Sequence, residues 1–467
     1  MNKKLIVFCS ILLTIAVVSV AFAEVTTITF WGWISPEWVA TYRDFEKQHP
    51  NIKIKEALIS QEWAGTAEKF LSAVAAGAAP DASIQNSHEF SHFASLDVFY
   101  NLSQFVKRDQ IKSSDWFAPQ WRGASFRGKQ FGLPGITDTR VLYWNKKLFK
   151  DVGLNPEKSP NTGKDLEEYT AKLLKKDAAG NIIQYGFIPT IEIGMPGAGN
   201  AFMWCWITST GAKWVDSTGK KYLVDDPRFV EALDWVVRFY DTYCGGAERA
   251  SAFLQAGAGG ILDPFLTQKL AMKVDGDWSY SSIATIPDLD VGAAPVPIPN
   301  MQGAIRRTFS CGSMYAISKN TKHAEEAWTF IKWLAGPEGA KSYAVHALER
   351  MQKDWKRQQL PGEPIYIPNL FNNRQAVSEL EKIYLPTLPE KAKQAYKVIT
   401  TSLNYTLSCA GLTGTGWGLT GLAFYNEMGN AFQEAIYHKK TPKQALEDAA
   451  AKLNKALSEA WVQVKVK

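Results

Sequence analysis

Long apolar runs are missing from almost all of this 467-residue chain. After residue 23 no stretch reaches the roughly eighteen consecutive apolar residues that a membrane-crossing helix needs, so insertion in a membrane is not expected. Cysteine is scarce: there are five, and none stands in a CxxC or Cys/His spacing of the kind that holds zinc. No metal and no cofactor is expected. Charge of one sign is not concentrated anywhere. The 52 Lys and Arg are interspersed with 46 Asp and Glu, with no basic block, which argues against nucleic acid as a partner. Internal repeats and low-complexity linkers are also absent.

What is present begins with a leader. Lys3 and Lys4 precede the apolar stretch Leu5–Val20, and Ala21-Phe22-Ala23 is an A-x-A cleavage signal. The pattern predicts an exported, periplasmic protein cleaved after Ala23. Cys9 belongs to the leader, after a bulky Phe8, and is not read as a lipidation site. Removing Lys3 and Lys4 lowers the formal charge from +6 to +4, a mild balance that would help anions approach without requiring one. The remaining cysteines are Cys205, Cys244, Cys311 and Cys409. In an oxidising compartment they allow three pairings, of which Cys205–Cys244 is favoured, and four buried free thiols fit equally well. Seventeen tryptophans are far more than core packing alone asks for, because each indole must also place its N–H.

Along the chain, strand and helix patterns alternate. Ile28–Trp33 reads as a strand, Glu37–Lys47 as a helix stopped by Pro50, and Ile52 and Ile54 as the next strand. A helix from about Trp63 to Ala76 and the apolar Ala82–Ile84 follow. Later segments repeat the alternation: helices over Thr162–Lys176, Asp226–Tyr243 and Thr321–Leu334, and strands near Tyr185–Ile188, Leu270–Val274, Val291–Val296 and Ser310–Ile317. Thr441-Pro442-Lys443-Gln444 is a capping box before a final amphipathic helix. The class is α/β, with mostly parallel sheets. The most informative stretch is Arg127–Gly153. A strand breaks at Leu133-Pro134-Gly135, passes polar Thr137-Asp138-Thr139-Arg140, and resumes as Val141–Trp144. That suits a chain crossing from one lobe to another.

This stretch resembles the crossover of the family 1 extracellular solute-binding proteins, the carbohydrate receptors of ABC importers. Other segments resemble the same family in order and spacing. They are Phe45–Ile54 (F-E-x-x-x-P-x-I-x-V), Ala75–Asp81 (A-x-G-x-x-P-D), Phe265–Trp278 (F-x-x-G-K-x-A-M-x-x-x-G-x-W), Gly312–Lys319 and Ala324–Leu334. Gln268 replaces the usual Gly before Lys269, and 345–430 matches nothing nameable. The resemblance implies a two-lobed periplasmic binding protein fold of type II, with discontinuous lobes joined by hinge crossovers. The expected lobes are 24–137 with 309–345, and 138–308 with 346–467. It implies capture of a mono- or oligosaccharide between the lobes, by a monomer that performs no chemistry, and delivery to the transmembrane permease subunits.

A sugar ring has apolar C–H faces and polar edges, so indoles and rim carboxylates or amides suit it. Trp278, after Gly276-Asp277 at a strand end, occupies the position at which maltose-binding-protein-like receptors stack a Trp on sugar. Asp138 matches an acidic contact at the crossover, with a salt bridge to Arg140 as its structural alternative. Trp31 and Trp33 end the first strand, where open α/β sheets bind ligands, and alternation sends them to opposite faces. Gln85, Asn86, His88 and Glu89 follow the next strand, with Ser87 as a helix cap and Asp81 as a structural residue. Asn200 and Trp204 belong to the glycine-rich loop and its successor. Gly312 opens a late strand, and Trp417 sits in a loop that could be a lid.

Rival readings remain. His88-Glu89-Phe90-Ser91-His92 is a literal H-E-x-x-H, which on a helix would place two imidazoles on one face as in zinc peptidases. A secreted glycosidase would need two carboxylates flanking the sugar, and Asp138 and Glu89 could supply them. Within binding proteins, glycerol phosphate or a polyamine is the alternative ligand.

Overall fold

The computed structural model of the chain describes residues 24–58, 66–191, 203–257, 262–284, 286, 288–359, 363–408 and 419–465. Strands β1 (Thr26–Gly32), β2 (Ile52–Leu58) and β3 (Ala82–Asn86) alternate with the helices Pro36–Gln48 and Thr66–Ala75. A short hairpin, β4 (Ser125–Phe126) and β5 (Lys129–Gln130), precedes β6 (Gly132–Thr137) and β7 (Arg140–Asn145). Then come β8 (Lys175–Lys176), β9 (Ile182–Phe187), β10 (Leu270–Gly276) and β11 (Val291–Pro295). The last are β12 (Thr308–Ser310), β13 (Gly312–Ile317) and β14 (Thr406–Ser408). Two five-stranded sheets result, ordered β2-β1-β3-β13-β6 and β11-β7-β10-β9-β8, and each anchors one lobe.

The sheets are mixed rather than mostly parallel. β1 runs parallel to β2 and β3, but β13 is antiparallel to both β3 and β6, and β7 is antiparallel to β10 and β11. β6 leaves the first sheet and β7 enters the second with only Asp138 and Thr139 between them, too few for a helical crossover.

Local sequence explains the flanking elements. In Pro36–Gln48 the apolar spacing buries Trp38, Tyr42 and Phe45 on one side, and proline starts the helix where no N–H partner is lost. Phe330, from the helix Ala324–Ala335, meets Phe30 of β1 edge-on at 4.9 Å. The capping boxes at Thr162/Asp165 and Thr441/Gln444 both form. Asp226 caps the helix that Pro227 begins.

The lobe boundary expected at 345/346 falls inside a helix. The helix Pro337–Arg357 runs unbroken through 345 and stays on the first lobe. Tyr343 packs on Trp38 at 4.1 Å, His346 Nε2 reaches Asp44 at 2.8 Å, and Arg350 pairs with Glu37 at 2.5 Å. Helix Arg374–Tyr384 packs against it, whereas Glu390–Ser402 lies on β11 and β7 of the other lobe.

Asp81 holds the first sheet's end together, as a structural residue should. Its carboxylate accepts from Thr29 N–H and Thr29 Oγ1, both at 2.8 Å, and from Thr321 Oγ1 at 2.6 Å. Charge-assisted bonds of this kind contribute about 1.5–3 kcal/mol each, and they are not additive. Asp81→Ala is expected to lower unfolding free energy by about 3 kcal/mol, seen as a lower urea midpoint at unchanged slope.

Candidate functional site

Two chain segments cross between the sheets side by side, and hydrogen bonds weld them. Asp138 N–H donates to Cys311 O at 3.1 Å, and Thr137 Oγ1 donates to the same carbonyl at 3.0 Å. The Asp138 carboxylate accepts from Cys311 N–H at 2.6 Å and from Arg140 Nη1 at 2.5 Å. Asp138 therefore makes the salt bridge to Arg140 that was its structural alternative. Burial pushes its carboxyl up from the usual range, and Arg140 pulls it back down. Gly312 sits where a side chain would collide: a Cβ there would lie 2.7 Å from Ile136 O.

Thr139 and Asp277 form a second clamp. Thr139 N–H donates to Asp277 Oδ1 at 3.0 Å, and Asp277 N–H donates to Thr139 O at 3.1 Å. This fixes the residue before Trp278. The indole folds over Gly276, where a Cβ would come within 2.3 Å of the ring, so only glycine permits this pose. The Arg140 guanidinium lies 5.2 Å from the ring centre. Trp278 is nonetheless 49% exposed, unlike the fully buried Trp204, Trp206 and Trp328. An indole braced from behind and open to solvent is not committed to the core.

The first lobe supplies the segment after β3. Ser87 does not cap a helix; its Oγ accepts from Gly312 N–H at 3.0 Å, tying this turn to the crossover. The helix starts later, at Phe90–Ser95, because Glu89 occupies the cap position. His88 thus precedes the helix. Its Nε2 faces Cys311 Sγ at 3.1 Å, its Nδ1 binds Asn86 Oδ1, and its ring meets the Tyr425 edge at 4.3 Å. His92 lies on the helix itself, so the H-E-x-x-H residues do not share one helical face, and no metal-binding cluster occurs among the described residues. Burial and the charge of Arg140 push His88 down to about 3, leaving a neutral imidazole. Glu89 is buried, and desolvation with Glu68 nearby pushes it up to about 7. Gln85 is fully buried; its Nε2 donates to Ser83 Oγ at 2.7 Å and its Oε1 finds no partner among the described residues.

Other expected contacts fare differently. Trp31 is partly buried with Lys69 Nζ 4.8 Å from its ring, and Trp33 packs on Trp38 at 4.8 Å. Trp204 is a correction. It is fully buried, with Phe309, Phe424 and Phe432 at 5.7, 5.6 and 5.5 Å, and belongs to the second lobe's core. Helical burial claimed it where only a loop was foreseen. The favoured Cys205–Cys244 disulfide does not form: both thiols are free and buried. Asn200, Trp417 and Cys409 lie outside the described residues. Sequence reasoning missed Tyr425, which falls in the stretch without family likeness, and undervalued Arg140. The Asp-x-Arg spacing at the crossover was the available signal.

The family model described as bacterial extracellular solute-binding protein matches residues 26–341. The chain belongs to that family. Among its relatives, the maltodextrin-binding protein MdxE of Bacillus subtilis strain 168 is 28% identical over 230 residues, 47% of this chain and 48% of that protein. This chain's match thus spans about half the length of that relative. The diacetylchitobiose binding protein DasA of Streptomyces coelicolor is 24% identical over 66% of this chain and 68% of that protein. A solved structure of CpMnBP1 with mannotriose bound superposes with a TM-score of 0.69 at 29% identity, covering 91% of this chain and 99% of that one. The sugar-binding protein MalE of Xanthomonas citri shares the fold at 18% identity, with a TM-score of 0.71 over 95% of this chain and 100% of that one. Family membership assigns the chain to substrate-binding proteins, which are not enzymes.

The acid cluster makes a pH prediction. Desolvation and Asp138 push Asp277 up to about 7 from an ordinary 3.8. A raised carboxyl binds its proton more tightly when folded, so this contribution is complete below about pH 4 and is lost as pH rises towards 7. Asp277→Asn keeps the acceptor for Thr139 N–H without the charge. Thermal melts are expected to show a smaller loss of melting temperature between pH 4 and pH 8 in the variant than in the parent.

Proposed function

We propose that this protein is the periplasmic receptor of an ABC importer and captures a short oligosaccharide between its lobes for delivery to the permease. The observation that carries the reading is Trp278: a half-exposed indole, braced by Gly276 and Arg140, beside the acid-rich crossover. The ring offers the flat apolar surface that a pyranose C–H face needs. Glu89, Asn86 and His88 belong to the first lobe, at and just after the end of β3, and with Asp138 they offer polar groups for hydroxyls. The CpMnBP1 complexes with mannobiose and mannotriose, at 29% identity, make a β- or α-linked manno-oligosaccharide the first ligand to try. In this reading the first lobe comprises 24–137 and 309 onward through the helix Pro337–Arg357, and the second holds 138–308 and the C-terminal helices. The protein acts as a monomer, exported by a leader cleaved after Ala23, with the permease docking on the lobes once they close.

A thermal-shift series with mannobiose, mannotriose, maltotriose, diacetylchitobiose and glycerol 3-phosphate tests this. A ligand at a hundred times its Kd stabilises the native state by about 2.7 kcal/mol. That corresponds to a rise of about 3 °C for a chain of this size. Mannotriose or a related oligosaccharide is expected to give it, and Trp278→Ala to remove it while circular dichroism stays unchanged. A shift from glycerol 3-phosphate alone, or a full shift in Trp278→Ala, contradicts the reading.

A further inference from the structure

A lysine interrupts an otherwise apolar run in β10. The strand reads Leu270-Ala271-Met272-Lys273-Val274-Asp275-Gly276, and every residue of it is buried. Lys273 is 2% exposed and Asp275 is 5% exposed. Alternation along a strand sends both side chains to one face, where an apolar pair would cost less desolvation. The ammonium is kept there by its partners. Lys273 Nζ meets Asp275 Oδ2 at 2.7 Å and Asp263 Oδ2 at 3.3 Å, and it donates to Ser279 Oγ at 2.8 Å. It also lies 5.1 Å from the centre of the Phe265 ring. Exchanging a buried ion pair for apolar residues of similar volume is often neutral or stabilising, so stability alone does not account for this one.

The bonds of this ammonium enclose Trp278. On the N-terminal side, Asp275 accepts the Gly276 N–H through Oδ1 at 2.7 Å while its other oxygen meets Lys273. On the C-terminal side, Ser279 is held by the same ammonium and opens the helix Ser279–Ala284. The chain just before and just after the indole is thus tied to one buried charge. The Tyr143 hydroxyl adds a bond to Gly276 O at 3.2 Å, and the Thr139 clamp holds Asp277. Alternation places Lys273 on the face opposite Gly276, over which the indole folds, so the lysine acts through the backbone and not on the ring.

We propose that Lys273 is a positioning residue for Trp278: its ammonium fixes the turn 276–279 and so holds the indole in its half-exposed pose before a guest arrives. A ring already held in place loses less conformational freedom when a ligand stacks on it. That a sugar stacks on Trp278 rests on the proposed function; the fixing of its backbone does not.

Incorporation of 5-fluorotryptophan into the full mature chain gives each indole a fluorine NMR signal, and Trp278→Phe identifies that of Trp278. Without ligand, Lys273→Met is expected to shift, broaden or split the Trp278 signal and to leave those of the buried Trp204 and Trp206 in place. Ser279→Ala removes one link and keeps the ion pairs. It is expected to disturb the same signal less, and it serves if Lys273→Met does not fold. By titration calorimetry with the saccharide that stabilises the parent most, Lys273→Met is expected to raise Kd about tenfold. A Trp278 signal unchanged in every folded variant overturns the proposal. So does a disturbance that moves Trp204 and Trp206 equally, which marks a general structural role, and so does an unchanged Kd. If no saccharide binds the parent, the sugar reading fails and the fluorine signals alone decide the role of Lys273.

Discussion

One carboxylate carries the junction of this molecule. Asp138 receives the Cys311 N–H from one crossing segment and the Arg140 guanidinium from the other, and its own N–H answers Cys311 O. Without it, two adjacent strands would change sheets independently. Arg140 is 4% exposed, so removing its partner would strand a charge away from water, which is worth about 3–5 kcal/mol. The same guanidinium braces Trp278 and lowers the basicity of His88. Junction geometry and site chemistry are therefore one network.

That network concentrates acids. Asp138, Asp277 and Glu89 all lie in desolvated positions that favour their neutral forms, with Arg140 as the cation among them. A site of this kind suits a neutral guest with many hydroxyls better than an anion, because hydroxyls can donate to each carboxylate and accept from the guanidinium. The mild positive charge of the whole chain is remote from this local balance and does not decide the ligand.

Much of this was legible in the sequence. Thr137–Arg140 marked the crossover because polar residues follow an apolar strand at once, although that strand does not break at Pro134 and Gly135 but runs through them as part of β6. Trp278 stood out in the sequence because it follows Gly276-Asp277 at a strand end, in a segment that resembles the family. Asp81 was rightly kept structural. The strand directions were not legible, since alternation of elements does not reveal that β13 and β7 run antiparallel to their neighbours. Trp204 was misplaced because a buried helix and an open loop have equal claims on an apolar run. Ser87 was misread as a cap because a long-range partner, Gly312, outcompeted the local one. Tyr425 could be found only by folding, as nothing near it in sequence points to His88.

The central claim is that two lobes joined at Asp138 and Cys311 close around a guest resting on Trp278. Small-angle X-ray scattering of the mature chain, with and without saturating mannotriose, tests it most directly. The account predicts a smaller radius of gyration in the bound sample. Calorimetrically proven binding that leaves the radius unchanged would contradict it.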